Sequence, residues 1–330
     1  MEEVKKPARI GVVLSSGGGR GVYAHTGFLL ALRQLGIEVS AIAGCSAGAL
    51  VGGIAASGAD LQQWSQVIAS VRTREYWTPD PWLQFVWRLA VNKGRGYTGL
   101  SDTAAAIAFC RRNLAVQTFE ECRVPFYSLA MDLGRGAKVL FAAGELAPRM
   151  MASAAMPLLY RPVEIAGSLY TDGAVIELAP TEAICCKHNL DALIVHHTSV
   201  HREGGEGMAW AVRQPWSLIE ILNLLLYRHR PWYLSDQPLA FQRCPHGCGT
   251  PLIVLECDLP ELVWPLNSGG PRVQAAALSQ SLASLQPYAG ILMSDPHRLP
   301  LPRVSAGQAA TPAARCNTAP EPEDGEHYPE

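Results

Sequence analysis

The sequence predicts an α/β domain in which helices flank a mostly parallel central sheet. An apolar run over residues 10–14 leads into glycines and then into a helical pattern. A second apolar run over 39–43 leads into another glycine turn and a second helical pattern. This repeated order of strand, glycine turn and helix is typical of parallel strands that are connected by helices.

The other elements are predicted from the same kinds of pattern. The first helix is predicted over 24–36, where Leu29, Leu32 and Leu35 have helical spacing, and the second extends to about Ser57. Further helices are predicted over 60–72, 147–155, 216–230 and 271–285. Further strands are predicted over 126–133, 138–141, 192–197 and 251–257, with a strand pair and a turn within 156–175.

A single domain is predicted to account for most of the chain. The 330 residues are enough for one large domain or two ordinary ones. With 48% apolar residues, the chain can bury a substantial core. We predict an N-terminal lead over 1–7, one domain over 8–295, and a disordered tail over 296–330 that is rich in proline, alanine and acidic residues.

The composition argues against several classes of function and location. A net charge of −2 gives no electrostatic support for binding nucleic acid. No run of about 18 consecutive apolar residues indicates a transmembrane helix, and the acidic start of the chain does not resemble a signal peptide. The nine cysteines, an odd number, favour reduced thiols over a disulfide framework. These features predict a cytoplasmic protein.

The pentapeptide GCSAG, residues 44–48, fits the G-x-S-x-G pattern of a nucleophile elbow. In that motif a serine lies on a tight turn between a strand and a helix, so small residues are needed around it. Gly44 and Gly48 satisfy this requirement on either side of Ser46. The helix that follows directs its first N–H groups towards the site and favours developing negative charge.

The glycine-rich stretch SGGGRG, residues 16–21, is predicted to supply hydrogen-bond donors to the same site. Glycines let backbone N–H groups come close to a tetrahedral oxyanion. A P-loop does not fit, because no Gly-Lys-Ser/Thr follows. The alternative is a dinucleotide-binding turn, since Gly19, Gly21 and Ala24 satisfy G-x-G-x-x-A, although Glu38 comes before the second strand rather than after it.

Taken together, three segments resemble the patatin-like phospholipase family. They are the glycine-rich loop, GCSAG, and ASAAMPLLYRPVEIAGSLYTDGAV, in that order. The last segment resembles the one that leads to the family's Asp-Gly-Gly or Asp-Gly-Ala motif, which here is Asp172, Gly173 and Ala174. An aspartate before a glycine is by itself only typical of a turn. The resemblance extends from about Ile10 to Pro180 and implies a three-layer sandwich with a mostly parallel sheet.

The resemblance also implies a lipid acyl hydrolase of the phospholipase A or lysophospholipase type. Ser46 would be the nucleophile and Asp172 its base, and the reaction would pass through an acyl-serine intermediate. The implied substrates are acyl esters of phospholipids or other lipids, and no metal or organic cofactor is implied. The residues that would form the oxyanion hole are Gly17, Gly18, Gly19 and Arg20.

Two alignments of the glycine loop with the family pattern remain open. The family has three glycines, a variable residue and then Arg-Gly, whereas here Arg20 follows Gly19 directly. Either Arg20 takes the variable position, or Ser16 stands for the first glycine and one residue is inserted before the helix. The two alignments differ in which N–H groups form the oxyanion hole.

A serine and an aspartate can react without a histidine if the site is dry. An exposed aspartate with a pKa near ~4 is a weak base, but burial raises that pKa and makes the carboxylate a better proton acceptor. The alternative is a Ser–Asp–His triad on an α/β-hydrolase fold. The histidines that follow the aspartate, as that order requires, are His188, His196, His197 and His201. Position argues against the triad, because only one strand precedes the strand of Ser46. We expect His196, His197 and His25 to be structural.

Two aromatic segments with basic ends are candidates for contact with a lipid surface. Aromatic rings beside basic groups suit a membrane interface, so we predict that residues 76–96 form a lid or membrane-contact segment of a peripheral protein. Its aromatic and basic residues are Trp77, Trp82, Phe85, Trp87, Arg88, Lys93 and Arg95. Residues 214–234 repeat the pattern, and a core helix with a cationic C-terminus explains them equally well.

The segment RCPHGCG is the one suggestion of a metal site. Cys244, His246 and Cys248 lie in it, and Cys257 is nearby. Zinc needs four well-placed ligands, and this spacing matches none of the common patterns of two ligand pairs. We therefore predict a cysteine-bearing loop rather than a metal site.

Overall fold

The computed structural model describes most of the chain. The described residues are 7–81, 87, 90, 91, 93, 95, 97–198, 212, 213, 217, 221, 231–245, 248–262 and 269–302. Most of the predicted helix over 216–230 lies outside them, and so do residues 303–330 of the predicted tail. Residues 296–302 are described, and Pro296 and Leu299 are buried there.

Eleven strands lie within the described residues. In chain order they are β1 (Ile10–Leu14), β2 (Val39–Cys45), β3 (Gly99–Ser101), β4 (Phe126–Asp132), β5 (Ala137–Phe141), β6 (Leu158–Tyr160), β7 (Val163–Ile165), β8 (Ser168–Asp172), β9 (Ala192–His197), β10 (Leu239–Arg243) and β11 (Pro251–Glu256).

Nine of these strands form one mixed sheet. The order along the sheet is β10-β11-β9-β1-β2-β4-β8-β7, and β5 also pairs with β4. The central strands β11, β9, β1, β2 and β4 are parallel. The pairs towards the edges, which involve β10, β5, β8 and β7, are antiparallel. Strands β3 and β6 form a separate parallel pair.

Seven α-helices accompany the strands in the described part of the chain. They are α1 (Gly18–Gln34), α2 (Ala47–Ala56), α3 (Leu61–Ser70), α4 (Ala104–Asn113), α5 (Leu146–Ala154), α6 (Gly270–Leu285) and α7 (Ala289–Ser294). The helix α1 lies between α6 and α2 and contacts both. The predicted fold class, an α/β domain with a mostly parallel sheet and flanking helices, is confirmed.

The central position of β1 follows from its apolar sequence, because a strand covered on both faces needs apolar side chains on both faces. All five of its residues are buried. Ile10, Val12 and Leu14 pack in the core formed with the helices. Val13 packs on the opposite face with Ile184. The sheet therefore lies between two apolar layers.

The start of the first helix differs from the prediction over 24–36. The helix α1 begins at Gly18, so most of the glycine-rich stretch is helical rather than a loop. Glycines disfavour a helix by about 1 kcal/mol each, but Gly21 packs directly against the Ala47 side chain at the start of α2. This contact between α1 and α2 thus outweighs the low helix propensity of the glycines. Gly19, Gly21 and Ala24 lie inside this helix, not in a dinucleotide-binding turn before it.

Several short elements were not predicted. The segment 156–175 contains three short strands, β6, β7 and β8, rather than a pair. The strands β3 and β10 and the helix α4 were also missed. Among the helices described by the structure, none is long and apolar enough to span a bilayer.

Candidate active site

Ser46 lies on a sharp turn between β2 and α2. Its backbone has φ 53° and ψ −117°, and non-glycine residues seldom adopt a positive φ. A Cβ atom on Gly48 would overlap the Leu14 carbonyl group, and one on Gly44 would overlap the Gly48 carbonyl group. The small residues of the elbow therefore let β1, β2 and α2 meet closely around the serine.

The register of the sheet brings Asp172 to the same level as Ser46. Cys45 at the end of β2 pairs with Leu129 on β4. The next residue on β4, Ala130, pairs with Asp172 at the end of β8. The serine that follows Cys45 is therefore separated from the aspartate by the width of one intervening strand.

Direct hydrogen bonds connect and hold the two side chains. Ser46 Oγ donates to Asp172 Oδ2 at 2.7 Å. The other carboxylate oxygen, Oδ1, accepts the Ala174 N–H at 2.9 Å. The Asp172 N–H donates to the Ala155 carbonyl at 3.1 Å, and the Ser46 N–H donates to Ser153 Oγ at 2.9 Å. Hydrogen bonds to Ser153 and Ala155 on one side, and from Ala174 on the other, thus hold the pair in place.

The pair is shielded from water. Ser46 is 6% exposed and Asp172 is 3% exposed. Burial raises the pKa of Asp172 from 3.8 to about 7, although hydrogen bonds from the Ala174 N–H and the Ser46 hydroxyl act in the opposite direction. At neutral pH this carboxylate is a much better proton acceptor than an exposed aspartate.

The glycine-rich stretch lies beside the serine. Gly18 and Gly19 line the cavity at Ser46, whereas Gly17 is the N-cap of α1. The guanidinium of Arg20 donates through Nη1 to the Leu259 carbonyl at 3.4 Å. Of the four residues expected at the oxyanion hole, the structure brings Gly18 and Gly19 to the cavity wall and directs the Arg20 side chain to Leu259.

Thr198, which follows β9, holds the stretch that leads into α1. Its Oγ1 donates to the Ser16 carbonyl at 2.6 Å, and its N–H donates to Ser15 Oγ at 3.0 Å. The starts of α1 and α2 both border the cavity, through Gly19 and Ala47. The first N–H groups of a helix have no intrahelical acceptor and favour a negative charge. Two helix starts therefore meet where an oxyanion would form.

The serine opens into an apolar cavity of about 250 Å³. Its walls come from α1 to α5 and from the segment around β6, and they are almost entirely apolar. Its aromatic residues are Tyr23, Trp64, Tyr76, Trp77, Phe109 and Tyr160. A hydrocarbon chain that fills this space would exclude water from the hydroxyl group, which strengthens electrostatic interactions there.

Two buried histidines lie under the glycine-rich stretch and bind each other. His25 Nε2 donates to the Ser15 carbonyl at 2.7 Å, so its Nδ1 accepts from His196 Nδ1 at 2.8 Å. The His196 ring also stacks on Phe28 at 4.4 Å. Burial lowers the pKa of His25 to about 4 and lowers that of His196 well below its ordinary value. Both rings are therefore neutral structural groups.

Among the residues that the structure describes, no histidine hydrogen-bonds Ser46 or Asp172. His197 Nδ1 contacts the Tyr233 hydroxyl at 3.1 Å. His188 Nε2 contacts the Tyr127 hydroxyl at 3.0 Å. The fourth histidine considered for a triad, His201, lies outside the described residues.

The aromatic segment 76–96 is described in part. Tyr76 and Trp77 line the cavity, and Trp77 Nε1 donates to the Leu159 carbonyl at 3.2 Å. Trp87 is 64% exposed. Trp82, Phe85 and Arg88 lie outside the described residues, and so does most of the second aromatic segment, 214–234.

The sequence did not indicate Ser153 or Thr198 as parts of this site. Each binds a segment more than 100 residues away, since Ser153 binds Ser46 and Thr198 binds Ser15 and Ser16. Ser153 lies in the alanine-rich start of the recognised segment that leads to Asp172. That position is the one signal that the sequence offers for it.

Known proteins are similar to just over half of this chain. A mycobacterial relative, an uncharacterized NTE family protein of Mycobacterium tuberculosis, is 31% identical over 176 residues, 53% of this chain and 45% of that protein. Lysophospholipase NTE1 of Cryptococcus neoformans is 27% identical over 195 residues, 58% of this chain and 11% of that protein. This chain thus matches less than half the length of these relatives.

Among solved structures, VipD from Legionella pneumophila is similar, with a TM-score of 0.48 and 13% identity over 86% of this chain and 68% of that chain. The family model described as "Patatin-like phospholipase" matches residues 12–184. This match contains the elbow, the glycine-rich stretch and Asp172, and it spans just over half of the 330 residues. The chain belongs to the patatin-like phospholipase family.

Proposed function

We propose that this protein hydrolyses carboxylic acyl esters of lipids, as a phospholipase A or lysophospholipase, through a Ser46–Asp172 dyad. The observation that carries the proposal is the 2.7 Å contact between Ser46 Oγ and Asp172 Oδ2 at the wall of an apolar cavity. Membership of the patatin-like phospholipase family supports the same chemistry. So does the similarity to the fungal relative, which is named a lysophospholipase.

In the first half of the reaction, Asp172 is the general base. As Ser46 Oγ attacks the acyl carbonyl carbon, its proton passes to Asp172 Oδ2. The carbonyl oxygen becomes an oxyanion, and we assign Gly18 and Gly19 N–H groups as donors to it, because both residues border the serine. Loss of one such donor costs on the order of 3 kcal/mol of transition-state stabilisation.

Breakdown of this intermediate breaks the ester C–O bond. The proton held by Asp172 passes to the leaving alcohol oxygen, and the acyl group remains on Ser46 Oγ. In the second half, Asp172 takes a proton from water as that water attacks the acyl carbon. The bond from the acyl carbon to Ser46 Oγ then breaks, the proton returns to Oγ, and the fatty acid leaves.

The cavity walls favour an acyl chain as the bound group. A hydrocarbon chain gains roughly 0.8 kcal/mol for each CH₂ group that it buries. The aromatic side chains around the cavity supply such a surface next to the nucleophile. The polar part of the lipid would remain at the mouth of the cavity, where it adds no apolar burial.

A peripheral membrane location follows from the same proposal, because the substrate is a lipid. Trp87 is 64% exposed and precedes Lys93 and Arg95 in the chain. An exposed aromatic ring near basic groups suits the lipid–water interface. We expect Trp87→Ala to weaken binding to anionic vesicles, whereas Met293→Ala, at another exposed apolar position, leaves binding unchanged. Equal binding by both variants would contradict this assignment.

The proposed activity is tested by turnover of phospholipid and lysophospholipid vesicles. We expect Ser46→Ala to lower kcat by at least about 10⁴-fold and Asp172→Asn by about 10² to 10⁴-fold. Both variants should keep the far-ultraviolet circular dichroism of the parent protein. The domain that carries the activity is proposed to be residues 8–295.

The same assay distinguishes the dyad from a triad. Conservative Gln variants of the four candidate histidines should retain turnover within about tenfold, since none is assigned a proton in the reaction. The dyad is wrong if a folded histidine variant loses turnover as Ser46→Ala does while Asp172→Asn remains active. The variants are His188→Gln, His196→Gln, His197→Gln and His201→Gln.

A further inference from the structure

Four cysteines meet at the edge of the sheet, on a part of the fold that the proposed reaction does not use. The Sγ atoms of Cys185, Cys186, Cys244 and Cys248 all lie within 4.8 Å of one another. Cys185 and Cys244 are buried, Cys186 is half-buried and Cys248 is exposed. Cys257, which the sequence placed nearby, instead contacts His196 and Ser281.

The four cysteines come from two segments that are distant in sequence. Cys185 and Cys186 follow the 3₁₀ turn Thr181–Ala183, ahead of β9. Cys244 and Cys248 lie in the turn that joins β10 to β11. Cys185 and Cys244 are 59 residues apart in the chain. The pattern RCPHGCG with Cys257 contains only two of these four cysteines, and its His246 lies outside the described residues.

The separations of the sulfur atoms suit a tetrahedral metal site. Cys185 Sγ lies 3.5 Å from Cys186 Sγ and 3.4 Å from Cys244 Sγ, and Cys186 Sγ lies 3.8 Å from Cys244 Sγ. Four sulfurs at the Zn–S distance of about 2.3 Å from one ion form a tetrahedron with edges of about 3.8 Å. Each of these three separations is also well above the S–S bond length of about 2.05 Å.

We propose that Cys185, Cys186, Cys244 and Cys248 bind one structural zinc ion as thiolates. A closed set of four sulfur ligands is typical of structural zinc and leaves no open position for a substrate. The ligands are the reduced cysteines in their thiolate form, and the resulting Zn(Cys)₄ unit carries two negative charges. Arg243, beside Cys244, places a guanidinium on the same turn, where it donates to the Gly249 carbonyl at 3.4 Å.

The groups around the sulfurs hold the turn in a conformation suited to ligation. The Cys244 N–H donates to the Thr250 carbonyl at 2.9 Å, and Thr250 Oγ1 donates to Cys248 Sγ at 3.2 Å. Such donors to a ligating sulfur orient it and stabilise its negative charge. The ion would cross-link the turn of the antiparallel pair β10–β11 to the segment that precedes β9.

Purified full-length protein provides the test. We expect the reduced protein to contain about one zinc ion per chain by elemental mass spectrometry, a number set by the single four-cysteine cluster among the described residues. Replacement of the zinc by Co²⁺ should produce strong thiolate-to-cobalt charge-transfer absorption. Cys248→Ser should lower zinc affinity by more than about 100-fold, because even loss of an outer-shell partner costs 10- to 100-fold.

Two matched variants separate ligation from packing. Cys122→Ser removes a half-buried thiol outside the cluster and should keep the full zinc content. Cys248→His should retain zinc far better than Cys248→Ser, since an imidazole nitrogen also binds zinc. If the Cys248 side chain only packs and binds no metal, the Cys248→Ser and Cys248→His variants should contain equal amounts of zinc.

Three outcomes would overturn the proposal. The first is reduced wild-type protein that contains only traces of zinc and takes up no cobalt. The second is a stoichiometric iron content with visible colour, which would assign the cluster to iron instead. The third is an intact mass that is lower by the hydrogens lost in disulfide formation, with disulfides mapped to these four cysteines.

Discussion

At the scale of single residues, the proposed role of Asp172 as base predicts how the reaction depends on pH. Burial raises the pKa of Asp172 to about 7, and only the ionised form accepts the Ser46 proton. We therefore expect kcat/KM for a non-ionising ester to rise with pH and to level off above about 7. A rate that instead falls as the pH rises through that value would contradict the role of Asp172 as base.

The same raised pKa has a consequence for stability. Between pH 3.8 and about 7 the folded protein keeps a proton on Asp172 that the unfolded chain has released, so the wild type loses stability as the pH rises through this range. Asp172→Asn has no such titration. Its free energy of unfolding relative to the wild type should therefore increase with pH, by on the order of 4 kcal/mol in total.

Urea unfolding at a series of pH values measures this difference. A difference between Asp172→Asn and the wild type that stays constant with pH would show that burial does not raise the pKa of Asp172.

Ser46 and Asp172 could be identified from the sequence, but their partners could not. The two residues proposed to react lie in short patterns whose spacing is set by local geometry, a strand-to-helix elbow and a turn before a glycine. Ser153 and Thr198 act on atoms that only folding brings near, such as the Ser46 N–H. A single hydroxyl is therefore not assigned a partner by the sequence, even where, as for Ser153, it lies inside a recognised segment.

At the scale of secondary-structure elements, the elbow depends on the close approach of α2 to β1. A Cβ atom on Gly48 would overlap the Leu14 carbonyl group. We expect Gly48→Ala to destabilise the protein by about 3 kcal/mol, as overpacked sites commonly do, and to lower turnover by displacing Ser46. Thermal unfolding and the ester assay measure the two effects.

Gly290→Ala is the matched control for that substitution. Gly290 lies in α7 with no atom within 4 Å of the position of an added Cβ. Alanine should there stabilise the helix by up to about 1 kcal/mol and leave turnover unchanged. If Gly48→Ala behaves like Gly290→Ala, the elbow does not require a glycine.

Most of the longer elements were predicted to within two residues, whereas the start of α1, the helices α4 and α7, and several short strands were not. The strands β1 and β9 were predicted with their observed bounds, because continuous apolar runs mark strands that are buried on both faces. The start of α1 was missed by six residues, because contact of Gly21 with α2 stabilises helical glycines. Three-residue strands such as β3 have too little periodicity to be recognised.

At the scale of the whole molecule, the cavity joins elements that are far apart in the chain. Ala106 on α4 lines the cavity and is 5% exposed, whereas Ala104 at the start of the same helix is exposed. We expect Ala106→Phe to shorten the space for an acyl chain. It should lower kcat/KM for long-chain esters about tenfold relative to short-chain esters, a difference of about 1.4 kcal/mol.

Ala104→Phe adds the same ring outside the cavity and should leave the ratio of long-chain to short-chain turnover unchanged. Because long-chain and short-chain turnover are compared within each variant, a smaller amount of folded protein lowers both rates equally and does not change their ratio. An unchanged ratio in folded Ala106→Phe would mean that the acyl chain does not enter the cavity. No local sequence pattern predicted that α4 forms part of the cavity wall, because the cavity arises from the packing of five helices.

The claim on which the account depends is that the Ser46 hydroxyl, activated by Asp172, takes up the acyl group. The most direct measurement is peptide mapping by mass spectrometry after reaction with a fluorophosphonate, which phosphonylates activated serines. We expect one adduct, on the peptide that contains Ser46, a much slower reaction in Asp172→Asn, and no adduct in Ser46→Ala. An adduct on another residue, or an unmodified Ser46 in protein that hydrolyses lipid esters, would contradict the account.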